Sequence, residues 1–250
     1  MKADNLQKNT GLNANTLKLI AVIAMVVQHA TIVFYPTENA LHWTLYAVGR
    51  ITAPVMCFMI VEGYYHTSNI KKYLMRLFIA TLISHVPHAL AFGYSPYEFW
   101  KVTSIMWCLF LGLLALVIFN KKEIPLILRL LGVGICCILS FPGNLNCIIV
   151  LWIMAFGVFR DSNWKKYTAF FIVTLCYLAE FWVISSHGIP WIRLVSLLAI
   201  PLLMMYNGML GKKSKWIQYG YYLFYPLHLL VLYGLKTVSY THLRAHETAA

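Results

Sequence analysis

The sequence predicts an all-α fold, a polytopic transmembrane helical bundle with a cytoplasmic N-terminus, and three observations predict it. Hydrophobic residues make up 60% of the chain and charged residues 11%, against roughly 25% charged in an ordinary soluble domain. The apolar residues fall in runs of helix length, not in the alternating strands of about ten residues that build an outer-membrane barrel. The loops joining those runs alternate between basic and nearly uncharged.

About nine runs approach the ~20 residues that a helix needs to cross ~30 Å of hydrocarbon. They are Leu17 to Tyr35, Leu45 to Val61, Tyr73 to Phe92, Val102 to Phe119, Ile124 to Phe141, Leu145 to Phe159, Tyr167 to Ser185, Trp191 to Tyr206 and Ile217 to Lys236. Lipid offers the backbone no hydrogen-bond partner, so each run is expected to satisfy itself as a helix. The fifth and sixth are separated only by Phe141-Pro142-Gly143-Asn144, and the sixth is short. A re-entrant hairpin there, leaving seven full crossings, is the alternative. No small-residue cleavage site follows the first run, which therefore reads as an uncleaved helix.

A single domain over residues 17–238 follows a short cytoplasmic segment, 1–16. Residues 239–250 are polar and aperiodic and resemble the translation of sequencing-adapter DNA. They are expected to be a non-native tail standing where the natural C-terminus would be, so His242, His246 and Glu247 carry no functional weight. The six cysteines lie in or beside apolar runs without a CxxC pair and read as packing residues.

Orientation follows from the basic loops. Lys2 and Lys8 precede the first span, and Lys71, Lys72 and Arg76, then Lys121 and Lys122, then Arg160, Lys165 and Lys166, then Lys212, Lys213 and Lys215 recur at every second connection. The positive-inside rule puts all of them in the cytoplasm, and the chain in the cytoplasmic (inner) membrane as a multi-pass protein. The net charge of +12 is thereby topological. Nucleic-acid binding would need those cations on one soluble face, and no such face is written here.

Ionisable residues inside spans cost roughly 2.5–3.5 kcal/mol on insertion scales, so each asks for a partner or a role. At ~1.5 Å per residue, His29, Arg50, His85 and His228 share a layer roughly 15–18 Å above the cytoplasmic edge. That layer is a candidate site, with Gln28 beside it and Glu180 and Arg193 nearer the outer end. A second polar group, Glu62, His66, Lys71, Lys72 and Arg76, flanks the cytoplasmic turn, where Gly63 permits close approach to a ligand. Such a patch suits the phosphates of a cytosolic cofactor. The plainer readings are that Glu62 pairs with a neighbouring cation, that the histidines are packing residues, and that Arg50 snorkels to the headgroups. His85 and His88 share a face, but no carboxylate completes a ligand set, and no metal is expected.

Several blocks together resemble the TraX family of membrane proteins: Leu17-Lys18-Leu19-Ile20 running to His29, Gly49-Arg50-Ile51-Thr52-Ala53-Pro54, and Glu62-Gly63-Tyr64-Tyr65-His66-Thr67. So do Tyr73 to Leu77, Leu109 to Leu116, Tyr206-Asn207-Gly208 and Tyr222 to His228. The likeness runs from about residue 16 to 236. It implies an acyltransferase, since the family's named member acetylates conjugative pilin, and the family is similar to multispan enzymes that use cytosolic acyl-CoA. Carried onto this chain, the resemblance implies catalytic His29, Arg50 and His228, cofactor-side Glu62, His66 and Arg76, and acetyl-CoA as co-substrate. The family usually shows Asp-His where this chain has Gln28-His29. An adjacent carboxylate fixes an imidazole tautomer and stabilises its cation, and an amide only orients it.

The leading expectation is therefore acetyl transfer from acetyl-CoA to an amine or hydroxyl of a pilin, cell-surface or membrane-associated acceptor, with His29 as base and Arg50 as oxyanion donor. The alternatives are a transporter or flippase of a small polar or lipid-linked substrate, and a non-catalytic membrane partner of an assembly system. Pro54, Pro87, Pro201 and Pro226 lie in or near spans, but the two related halves common in transporters are not evident.

Overall fold

The computed structural model describes residues 11–98, 101–143, 145–184, 189–212 and 214–248. Lys2, Lys8, Asn144, Ser185 and Lys213 lie outside them, as do the side chains of Lys215, His242, His246 and Glu247. The chain forms α1 (Ala14–Phe34), α2 (Ala40–Val48), a 3-10 turn (Gly49–Ile51), α3 (Thr52–His66), α4 (Ile70–Phe92) and α5 (Ile105–Phe119). Then come α6 (Leu126–Leu139), α7 (Asn146–Val158), α8 (Asn163–Ile184), a 3-10 segment (Pro190–Leu198) running into α9 (Ala199–Met204), and α10 (Lys215–Thr248). The only β-type pairings among the described residues are two isolated bridges, Leu12 with Tyr206 and Thr103 with Gly143.

Asparagine starts three of these helices. Asn13, Asn39 and Asn69 each sit in extended backbone and accept from the backbone N–H three residues on, at 3.0, 3.0 and 2.9 Å. Gly93 closes α4 in the left-handed conformation at φ 76°, which a side chain would strain.

Among the described residues, three segments are long and apolar enough to cross a membrane by length and composition: α1, the continuous stretch Ala40–His66, and α4. Ile105–Phe119, Leu126–Leu139, Asn146–Val158 and Pro190–Met204 are apolar but shorter. α8 and α10 are long, yet carry Lys165, Lys166 and Glu180 in one and five tyrosines between residues 219 and 233 in the other. The second predicted span is longer than its apolar run and broken at Gly49–Ile51. The eighth is mostly 3-10, and the ninth extends as helix past its apolar run through residues 239–248, where the polar, aperiodic sequence predicts a tail.

Helix α7 is the centre. It packs against α3, α5 and α8, and Ile149, Trp152, Ile153 and Phe156 on it are fully buried. Glycine makes room for a side chain here: a Cβ on Gly157 would stand 2.5 Å from Leu116 Cδ1, so Leu116 of α5 packs directly onto the α7 backbone. Around this core, apolar side chains face outward. On α6, Ile127, Leu131 and Ile138 are 69%, 58% and 68% exposed and Cys136 alone is buried. A soluble monomer rarely shows a surface of that kind, and lipid is its natural solvent. The chain is a membrane protein.

The bundle has two chemically different ends. The start of α1 is tied to the 205–212 loop by Leu12 N–H to Met205 O (2.8 Å), Ala14 N–H to Met209 O (2.8 Å) and Asn15 Nδ2 to Lys212 O (3.0 Å). The end of α3 meets Arg160 and the end of α7 through Glu62 and Tyr65. Lys18, Lys72, Arg76, Arg160 and Lys212 therefore gather at one end, as the alternation of basic loops predicts.

Candidate functional site

Helices α1 and α10 bring His29 and His228 edge to edge. Their rings are nearly coplanar, with 6° between planes and centroids 5.1 Å apart, and His29 Nδ1 lies 2.8 Å from His228 Nε2. Both residues are 8% exposed. The hydrogen-bond chain orders the protons. His228 Nδ1 is 3.1 Å from the Phe224 carbonyl one turn earlier, so it must carry the hydrogen and donate. A neutral His228 then offers a bare Nε2, which accepts from His29 Nδ1–H and leaves the lone pair of His29 on Nε2. A backbone carbonyl relayed through His228 thus does the tautomer-fixing that a carboxylate before His29 would do. Phe92 and Tyr225 close in edge-on at 5.3 and 6.5 Å.

Arg50 stands in the 3-10 turn between α2 and α3, a break that turns its side chain inward from the run Ala40–His66. Its Nη1 donates to the Tyr177 hydroxyl at 3.2 Å, its Nη2 donates to the Tyr46 hydroxyl, and its guanidinium lies 4.6 Å over the Tyr46 ring. Among the described residues no carboxylate pairs with it, and its buried Nε–H has no partner. Snorkelling to headgroups is not what this arrangement does.

Two cavities meet at these groups. A larger one, about 880 Å³, runs inward from Ser68, Asn69, Lys72 and Lys212 at the basic end. A smaller one, about 420 Å³, is walled by His42, Trp43, Tyr94 and Ile189 from the opposite end. His29, Arg50 and Leu145 line both. His228 lines neither and reaches them only through its contact with His29.

The remaining predicted residues separate. His66 and Arg76 line the large cavity. His66 Nδ1 donates to the Glu62 carbonyl at 2.8 Å, and Arg76 lies 5.7 Å over the Tyr73 ring with its buried Nε–H unpartnered. Glu62 does not line it: the carboxylate is buried and accepts from Arg160 Nε at 3.1 Å, the ion pair of the plainer reading. Gly63 makes room for Tyr73, whose hydroxyl would stand 2.7 Å from a Cβ there. His85, despite its depth, lines neither cavity and donates Nε2–H to the Pro96 carbonyl at 2.8 Å. One turn further, His88 takes the place expected of it: 3% exposed, stacked 6.3 Å from Tyr94, and facing the smaller cavity. His85 is buried as well, so burial along α4 does not tell the two histidines apart, and their different partners do. Glu180, near the same end, accepts from Asn146 at 2.7 Å and pairs with Arg193 at 3.3 Å.

Gln28 packs directly on the Gly49 backbone, leaving no room for a Cβ. Gly49→Ala is expected to cost about 1–3 kcal/mol by overpacking and to shift the turn that carries Arg50. Thermal unfolding in detergent beside the wild-type chain checks it; an unchanged midpoint would show that Gln28 yields freely.

A helical membrane protein in which His29, hydrogen-bonded to a buried partner histidine, and the inward-turned Arg50 stand between two cavities is the class that this fold and site define. The chain belongs to the TraX family: the family model for TraX protein matches residues 13–236. It is also 28% identical over 245 residues to a protein of Dichelobacter nodosus named "Probable fimbrial assembly protein FimC, serogroup H1", covering 92% of this chain and 98% of that one. No solved structure matches it.

Proposed function

We propose that this protein is a multi-pass acyltransferase of the cytoplasmic membrane that takes an acetyl group from acetyl-CoA at its basic, cytosolic end and passes it to an acceptor entering from the other. The observation that carries this reading is that His29 and Arg50 are the polar groups common to both cavities. Lys18, Lys72, Arg76 and Lys212 surround the larger cavity with cations suited to phosphates, and Arg76 keeps an unpartnered N–H. Met25, Met56 and Met59 line it deeper in, an adaptable apolar wall for a thioester arm. From Lys18 to His29 along α1 the reach is ~16 Å. His29 Nε2 takes the proton of the attacking group, and Arg50 Nε–H donates to the carbonyl oxygen as it gains charge. His66 lines the donor cavity itself, and Glu62 contributes to it by holding His66 and Arg160.

The nine-crossing topology belongs to this reading. The 3-10 segment Pro190–Leu198 rises ~2.0 Å per residue, so with α9 it extends about 27 Å and crosses with fewer residues than an α-helix needs. α6 and α7 extend only about 20 Å each and cross as a thin pair, α7 buried in the bundle and α6 covering it on the lipid side. The fimbrial name of the relative supports an acceptor associated with pili or another surface structure.

Calorimetry of the detergent-purified chain with acetyl-CoA tests the donor side. Binding is expected, weakened about tenfold or more by Arg76→Ala. No binding at millimolar cofactor would overturn the reading and favour transport, for which two cavities meeting at a polar partition are also a suitable path; uptake into proteoliposomes without acyl-CoA would then be seen.

A further inference from the structure

We propose that the smaller cavity is a saccharide site and that the acetyl acceptor is a sugar hydroxyl, not a protein amine; the transfer step rests on the function proposed above, the site does not. Three features of the cavity select this chemistry. First, no carboxylate lines it among the described residues, whereas Arg50 and Arg193 do, and the one acid nearby, Glu180, is already committed to Arg193 and Asn146. An amine arrives as an ammonium and meets the uncompensated charge of Arg50 with no free counter-ion, which a buried site penalises heavily.

Second, the walls are aromatic. Trp43, Tyr46, Tyr94 and Tyr177 line the cavity; Arg50 and Arg193 lie over Tyr46 and Tyr177, which leaves Trp43 and Tyr94 as the rings whose faces, negative by quadrupole, attract the partly positive C–H face of a pyranose. Third, the polar groups left over are of both kinds that hydroxyls serve. His88 is 3% exposed and its Nδ1 has no hydrogen-bond partner, and Arg50 Nε–H is likewise unpartnered. A hydroxyl both donates and accepts, so adjacent hydroxyls of one ring satisfy either tautomer of His88 as well as the guanidinium. The volume, about 420 Å³, lies at the small end of the ~300–1,000 Å³ of small-molecule sites and admits a head group or chain end, not a folded acceptor.

In the step itself the sugar oxygen bonds to the thioester carbonyl carbon and His29 Nε2 receives its proton. The carbon–sulfur bond breaks, and the departing thiolate takes that proton as the thiol. An ester and free CoA result, with no further reactant.

The experiment uses the full chain in nanodiscs, with methyl β-glucoside, N,N′-diacetylchitobiose and glucuronic acid as saccharide probes and the tripeptide Ala-Gly-Gly as the amine. Saturation-transfer NMR reads binding without any chemistry. At least one saccharide is expected to bind, the tripeptide is not, and Trp43→Ala or the half-exposed Tyr94→Ala is expected to weaken binding at least fivefold. With acetyl-CoA added, the product is expected to be an alkali-labile ester. Saccharide binding that neither variant alters, binding of the peptide alone, or an alkali-stable amide as the product would overturn the proposal. Saccharide binding lost in the variants but with no CoA released would keep the site and discard acyl transfer.

Discussion

Replacing His29 with alanine is expected to lower acyl transfer from acetyl-CoA by ~10²–10⁴-fold, the range that a positioned general base contributes. The geometry makes the expectation specific. His29 is the basic group present in both cavities, and the chain from Phe224 O through His228 leaves its lone pair on Nε2. His228 is a positioning residue in this scheme, so its substitutions separate tautomer control from structure. His228→Gln retains an acceptor for His29 Nδ1–H and is expected to keep more activity than His228→Leu, which offers none. Single-turnover release of CoA measures both. Unchanged turnover in His29→Ala would remove the base from the mechanism; equal losses in the two His228 variants would reduce the histidine contact to packing.

The residue types of this site were legible in the sequence, and their company was not. Lipid penalises every buried polar group, so His29, Arg50 and His228 stand out against their apolar neighbours without any structure. Depth counting then placed His85 with them, because rise along a helix fixes height and says nothing of azimuth. On α4 the face toward the site passes through Ser84 and His88, and His85 points one residue away, to Pro96. Glu62 failed as a cavity residue for a similar reason: i, i+4 spacing with His66 promises a shared face, but not whether that face looks into the cavity or toward Arg160.

The helices themselves were readable where composition and period agreed, as in α1 and α4, whose asparagine caps mark their starts. The 3-10 segments were not. Pro190-Trp191-Ile192-Arg193 has the same apolar content as an α-helical span, and the tighter winding goes with a tertiary tether that composition does not show, Arg193 held by Glu180 and Tyr177. The Gly49–Ile51 break is likewise a packing consequence, since Gln28 occupies the space beside Gly49.

Arg50→Ala is expected to reduce turnover by ~10²–10³-fold, about 2.7–4 kcal/mol, with little change in the KM for acetyl-CoA. A preorganised donor acts on charge that develops in the transition state, and Arg50 is preorganised: Tyr46 and Tyr177 hold two of its nitrogens, and the ring of Tyr46 supports the plane, so the guanidinium is fixed before substrate arrives with its Nε–H still unpartnered. Lysine restores the charge but not the fork. Its flexible ammonium cannot engage both tyrosines while presenting a third donor, so Arg50→Lys is expected to recover no more than about tenfold over alanine. A rise in KM with turnover intact would instead make Arg50 a ground-state binding group for the thioester carbonyl. Full recovery in lysine would mean that the site requires a positive charge and no particular geometry, and the tyrosine pair would then serve only to keep an uncompensated cation stable inside the membrane.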